Sequence, residues 1–337
     1  MIALRRAILV TGLCALSTVA LAQAPAPSSA TAKPAKPAAK PASVAAKTPV
    51  PVASGEPDLA FGAFQRGYYL TAFHEATKLA TQKNNPKAMT LLGELYAYGF
   101  GVVNNDEEAA RWYKLAADRG DSNAMFALAM FRFGGRGGPR DRNEAAQWLA
   151  AAAKLGHPAA AYDLALLYME GQQFPQDFAR AAELFKIAAQ AGSPEAQYAL
   201  ATLYKEGRGV TKDERETARL LAAASVAGNV DAQVEYAIAL YNGVGVAKNE
   251  VAAARLLQKA AIGGNAVAQN RLARLYLTGR AVAADPVQAV RWHLISKAGG
   301  ASDLGLDEFA QKQTPEIRAA AEKAAKPWLD LLRPPRS

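Results

Sequence analysis

Residues 88–120 read AMTLLGELYAYGFGVVNNDEEAARWYKLAADRG, and this stretch decides the fold. Ala88, Leu92, Gly93 and Tyr96 recur at three to four residues, the spacing of one helical face. Gly99 and Gly101 follow, where a sharp turn is easiest for residues that tolerate positive φ. Asn105 with Glu108 has the spacing of a capping box at the start of a second helix. Ala109, Trp112 or Tyr113, and Ala116 form its apolar stripe, and Gly120 suits the left-handed residue that ends it. The whole stretch is thus one helix-turn-helix unit. It returns every 36 residues without insertion: Ala88, Ala124, Ala160, Ala196, Ala232 and Ala268 begin six copies that fill residues 88–303. Leu92, Leu128, Leu164, Leu200, Tyr236 and Leu272 follow four residues on, each preceding a Gly or Ala. Gly120, Gly156, Gly192, Gly228, Gly264 and Gly300 close the copies.

A short unit of this kind cannot bury its apolar face alone, so neighbours must stack. The expected fold is all-α: a right-handed α/α superhelical solenoid of six 36-residue repeats with helical caps at both ends. Ser193-Pro194 reads as an N-cap followed by proline at the first helical position. Residues 57–87 are expected to form the N-terminal cap, a helix pair with Phe61, Phe64, Tyr68, Ala72, Ala76 and Leu79 inward. Residues 304–337 are expected to form the other cap and a tail. There Thr314 and Pro315 start a helix that buries Ile317, Ala321, Ala324, Trp328 and Leu331.

The first copy carries Ala88, Leu92, Gly93, Tyr96, Gly99, Gly101, Val102, Ala109, Ala110, Trp112, Tyr113, Ala116, Ala117 and Gly120. In these residues the chain resembles the Sel-like repeat family, relatives of the tetratricopeptide repeat. Later copies depart from the pattern: Arg132 replaces the first-helix tyrosine, Leu184, Leu220 and Leu256 replace the tryptophan, and His293 takes the second aromatic place. The resemblance implies an adaptor in assembly, signalling or envelope processes. A secreted branch of the family has a disulfide in each repeat; here the only cysteine is Cys14, so that branch's properties do not carry over.

Residues 1–22 have the form of a secretory signal peptide. Arg5 and Arg6 precede an apolar run, and Ala20-Leu21-Ala22 offers cleavage before Gln23. The run is shorter than the roughly 20 residues of a membrane helix, which predicts export to the periplasm with no integral span after cleavage. Retained, it would instead be an anchor. Thr11-Gly12-Leu13 before Cys14 is a poor lipoprotein site. Residues 23–56 are mostly Ala, Pro and Lys, a composition that predicts a spacer without a core. They carry Lys33, Lys36, Lys40 and Lys47 against Glu56, so much of the net charge of +9 sits ahead of the repeats. The array itself is only mildly basic, which argues against nucleic acid. The lysine tail is a candidate for contact with peptidoglycan or another anionic envelope polymer.

No motif points to catalysis. There is no Ser-x-x-Lys, G-x-S-x-G or phosphate-binding loop, and Asp106, Glu107 and Glu108 sit where they favour a helix dipole. His74, His157 and His293 fall in different units, so neither a metal nor a cofactor is expected. Two features remain for partner binding. One is the loop of unit two, with Arg132, Arg136, Arg140 and Arg142 among glycines. It is either a clamp for carboxylates or phosphates, or a solvated loop relieved by Asp141 and Glu144. The other is the first-helix face outside the packing stripe: Glu94, Tyr98, Phe126, Met130, Tyr162, Tyr198, Lys205 and Arg274. Periodicity alone does not separate these positions from inter-repeat contacts. The expected function is a non-enzymatic scaffold that holds a protein or peptide along its concave face. A peptidoglycan- or polysaccharide-associated accessory protein, or a weak cell-wall hydrolase, is the alternative.

Overall fold

The structure is a computed structural model that describes residues 59–332. The expected leader at 1–22 and the Lys-rich segment at 23–56 lie outside the described residues. Among the described residues all regular structure is α-helical. Helices α1 (Leu59–Gln65) and α2 (Tyr69–Lys83) come first. Six pairs follow: α3 (Pro86–Tyr98) with α4 (Asp106–Ala117), α5 (Ser122–Gly134) with α6 (Arg142–Lys154), and α7 (Pro158–Glu170) with α8 (Phe178–Gln190). Then come α9 (Pro194–Glu206) with α10 (Glu214–Val226), α11 (Val230–Asn242) with α12 (Glu250–Ile262), and α13 (Ala266–Thr278) with α14 (Pro286–Ala298). Helices α15 (Leu304–Gln311) and α16 (Pro315–Leu332) close the array. Each helix of the six pairs packs on the next in sequence, which makes an α/α solenoid with one layer of first helices and one of second helices.

The repeat fixes helix ends as well as faces. First helices start at Asn85, Asp121, His157, Ser193, Asn229 and Asn265, and each of these side chains accepts the backbone N–H three residues on. They stop at Gly99, Gly135, Gly171, Gly207, Gly243 and Gly279, all left-handed. Asn105, Asp141, Asp177, Asp213, Asn249 and Asp285 cap the second helices in the same way. Each cap is worth about 1 kcal/mol, so the local signals alone define where helices begin. The Asn105–Glu108 capping box is only half made. Asn105 Oδ1 accepts the Glu108 N–H, but its own N–H donates to Tyr96 O at 3.0 Å. Glu108 turns outward to Arg111 instead.

The core consists of small residues facing large ones. Gly93 lies against the Tyr113 ring so closely that a Cβ there would sit 2.5 Å from it. Adjoining units meet through a second set of glycines: a Cβ at Gly137 would fall 2.2 Å from Asp106 O, and one at Gly245 1.9 Å from Glu214 O. These loops therefore reach back onto the start of the preceding second helix at backbone distance. The caps depart from expectation in four details. Phe61 is 48% exposed, Tyr68 62% and Leu331 82%, so none of them joins a buried stripe. The C-terminal cap contains α15 as well as α16, with Asp303 capping α15 and Leu306 as its buried anchor.

Candidate functional site

The arginines of the unit-two loop do not converge. Arg132 has a side chain only 18% exposed, and its Nε donates to Glu144 Oε2 at 2.7 Å. Trp148 Nε1 donates to the other Glu144 oxygen at 3.2 Å. Arg136 lies on the preceding unit: Nη2 and Nε bind Asp106 at 2.6 and 3.0 Å, Nη2 also donates to Ala97 O at 3.0 Å, and the guanidinium covers the Phe131 ring at 4.3 Å. Arg142 reaches Gln172 of the next unit. Arg140 alone points outward without a side-chain partner among the described residues. Arg136–Asp106 is one member of a seam that recurs 30 residues apart, in Arg142–Gln172 and Glu250–Arg280 and in the Arg208 guanidinium over Phe178. That seam binds unit to unit.

The first-helix face gathers rings and carboxylates instead. Phe126 stacks on His157 at 4.8 Å, which joins α5 to the cap of α7. Burial lowers the His157 pKa, and its Nδ1 accepts from Ala160 N. Half-buried Tyr162 lies 5.6 Å from Phe185, and Tyr198 lines a small concavity with Thr202, Lys205, Glu206 and Glu235. Burial pushes the Tyr162 hydroxyl up, helped by Glu195 and Asp163; for Tyr198 the same effect of burial is joined by Glu235 and Asp231. Tyr98 is pushed up mainly by burial and leans on Phe100 at 5.7 Å.

Glu94 and Asp163 are the most perturbed carboxyls. Burial, then the Asp121 carboxylate, raises Glu94 from 4.5 to about 7. Burial alone raises Asp163 from 3.8 to about 6. Neither has a cation partner among the described residues. Each is shifted without help from the other, so they are not the coupled pair of an acid–base site. Toward the C-terminal end the same face is neutralised: Lys205 pairs with Glu235 at 2.7 Å, and Arg274 with Asp303 at 2.7 Å. Sequence reasoning named Glu94 but missed Asp163. Its signal was an acid in the column Leu91, Ala127, Asp163, Ala199, Glu235, Arg271, where the other acid, Glu235, has Lys205 as its partner.

Stacked pairs of 36 residues, capped at the same positions and closed by glycine in every copy, define an α/α repeat scaffold. The family profile described as Sel1 repeat matches residues 86–121, 122–157, 158–193, 194–229, 230–265 and 266–300, and the chain belongs to the Sel1 repeat family. The chain is similar to a Sel1 repeat protein from Oxalobacter formigenes at 26% identity. That likeness covers 71% of this chain and 98% of that one, with a TM-score of 0.62. It is also similar to a protective antigen present in uropathogenic Escherichia coli strains and displaying an SLR fold. There the identity is 25%, the coverage 81% of this chain and 67% of that one, and the TM-score 0.57. No curated protein matches the chain. A Sel1 scaffold points to protein–protein interaction, and such scaffolds are generally non-catalytic. Among the described residues no helix is long and apolar enough to cross a membrane.

Proposed function

We propose that this protein is an exported, non-enzymatic scaffold that holds a protein partner along the first-helix face, in cell-envelope assembly or signalling. One observation carries the reading: Glu94 and Asp163 are partly buried carboxyls without cations, their pKa values raised by burial, on the helix face that also carries the half-buried rings of Phe126, Tyr162 and Tyr198. Partial burial without a donor disfavours the charged carboxylate, so a ligand that supplies a donor gains at that point. An extended peptide with Lys, Arg or free amide groups supplies donors to the acids and apolar stems to the rings. In an α/α solenoid the first helices line the concave side, where such a peptide has the longest contact. Tyr98, Tyr162, Tyr198 and Phe126 are the proposed aromatic contacts, with Lys205 and Arg274 held in reserve by their own ion pairs. The leader at 1–22 supports export, and intact mass of the mature chain beginning at Gln23 is the check.

The test is crosslinking in cells, with identification of the captured protein and calorimetry of the purified pair. Glu94→Gln with Asp163→Asn is expected to weaken binding about tenfold. A pair that binds this double variant equally well would overturn the reading. So would sedimentation of the purified protein with peptidoglycan in the absence of any protein partner.

A further inference from the structure

The second-helix layer carries an underfilled trench. Between α6 and α8 lies an open groove of about 690 Å³, floored by Ala150, Ala153, Leu164, Leu184 and Ile187. Its origin is legible in the residues. Helix α6 presents only Ala150 and Ala153 to the groove, three residues apart on one face, and Leu184 stands where the preceding units have Trp112 and Trp148. In the adjoining gap Trp148 is present, and Lys114 closes over its ring at 5.3 Å. The trench therefore lacks the bulk that fills its neighbour.

Its rim is cationic. Lys154, Arg180 and Lys186 border it, against Glu183 alone. None of the three has an ion-pair partner among the described residues. On nearby second helices, by contrast, Lys114 is paired with Asp118 and Arg219 with Glu216. Arg180 is held over the Tyr168 ring at 5.2 Å, which fixes its position at the trench wall. We propose that this trench docks an acidic amphipathic helix of a protein partner. An alanine-lined floor lets a third helix approach closely, and leucine-type anchors at i, i+3, i+4 and i+7 would meet Leu164, Leu184 and Ile187. Glutamates flanking those anchors would meet Lys154, Lys186 and Arg180. This surface is separate from the first-helix face, so it concerns a second partner.

The experiment is fluorescence anisotropy of the full protein with a labelled synthetic helix bearing leucines at that spacing and glutamates elsewhere. Saturable binding is expected at low salt, weakening as salt rises. Lys154→Glu with Lys186→Glu is expected to weaken it about tenfold or more. Ala150→Phe, which fills the trench and leaves the charges, is expected to do the same. Circular dichroism verifies that each variant is folded. Glu94→Gln with Asp163→Asn is expected to leave this binding unchanged, which separates the two surfaces. Absence of binding at low salt overturns the proposal. So does equal affinity for the matching lysine-substituted helix, or for the Ala150→Phe variant. Binding to phosphatidylglycerol vesicles that the double charge reversal abolishes, with no peptide binding, would assign the trench to a membrane surface instead.

Discussion

The two layers of units two and three carry opposite charge in opposite states of solvation. On the first-helix face Asp163 is partly buried and lacks a cation, next to Tyr162, whose hydroxyl it helps push up. On the second-helix face Lys154 and Lys186 are exposed over an alanine floor and lack an anion. A desolvated acid loses stability until a partner supplies a donor, so it governs how long a complex lasts. A solvated cation costs the fold nothing and acts mainly on the rate of encounter. One 36-residue rule thus produces two unlike surfaces. The columns at the helix seams are held mostly to Gly, Ala and Leu, with rings such as Tyr113 and Phe185 among them, while the columns facing outward are free to differ.

The largest effect is expected at Gly137, where the unit-two loop that separates the two faces is seated on α4. Its φ is +63°, and a Cβ would lie 2.2 Å from Asp106 O and 2.7 Å from Ala110 Cβ. Gly137→Ala combines a left-handed penalty of about 1–2 kcal/mol with overpacking of about 1–3 kcal/mol. We expect a loss of about 3 kcal/mol in urea unfolding. A loss below about 1 kcal/mol would mean that the loop lifts off α4 without consequence.

The desolvation of the inner face has a sign that pH can read. The Glu94 pKa is raised from 4.5 to about 7, so the fold disfavours its charged form. Its penalty is absent below the ordinary carboxyl range, grows as pH rises from 4.5 toward 7, and is complete above that. Glu94→Gln is expected to remove this slope and to stabilise the protein at pH 8 by about 2 kcal/mol. Thermal melts between pH 4 and pH 8 check it. A wild-type profile that matches the variant across this window would show that Glu94 is solvated and would remove the contrast between the faces.

The unit-two loop separates cations used by the fold from cations left over. Arg136→Ala removes a bidentate ion pair, a bond to Ala97 O and the cover on Phe131, at about 1–2 kcal/mol. Arg140→Ala should stay within about 0.5 kcal/mol. Equal effects in urea melts would contradict this division. In unit six the column of Gly137 holds Ala281, with a φ of 63° in the same left-handed region. Ala281→Gly is expected to raise stability by about 1 kcal/mol, less the entropy glycine adds to the unfolded chain. A lowered melting temperature would count against strain at that turn.

The fold was legible because its determinants are local and repeated. Cap residues, left-handed glycines and small packing residues stand in columns that no single unit could hide, from Asn105 and Gly99 to Gly93. The caps were less legible, since one copy of a pattern gives no column: Leu331 fits a helical stripe but has nothing to pack against, and α15 is one short helix held by Asp303 and Leu306. The candidate surface was legible in part. The helical spacing of Phe126, Tyr162 and Tyr198 was plain, but the contacts of Phe126 with His157 and of Tyr162 with Phe185, and the partners of Arg132, Arg136, Lys205 and Arg274 at 12 to 30 residues away, depend on how helices stack. Asp163 shows the same limit from the other side. Its charge is plain in the sequence, and its desolvation exists only once α7 is packed between its neighbours.

The smallest expected effect is also the sharpest test of the outer face. Lys186 is exposed in the middle of α8 and makes no hydrogen bond or ion pair among the described residues. Its one electrostatic effect is a minor lowering of the Glu216 pKa, behind the hydrogen bond from Arg219. Lys186→Gln should therefore change unfolding free energy by no more than about 0.5 kcal/mol. A larger loss would mean that the lysine is bound into the fold like Arg136, because a cation that stabilises its own helix layer has already met its anion. Its charge would then be unavailable to an acidic helix, and the contrast between a costly inner acid and a free outer base would disappear. A loss inside that bound, with the affinity for the acidic helix reduced at the same time, is the signature of a residue placed for a partner and not for the fold.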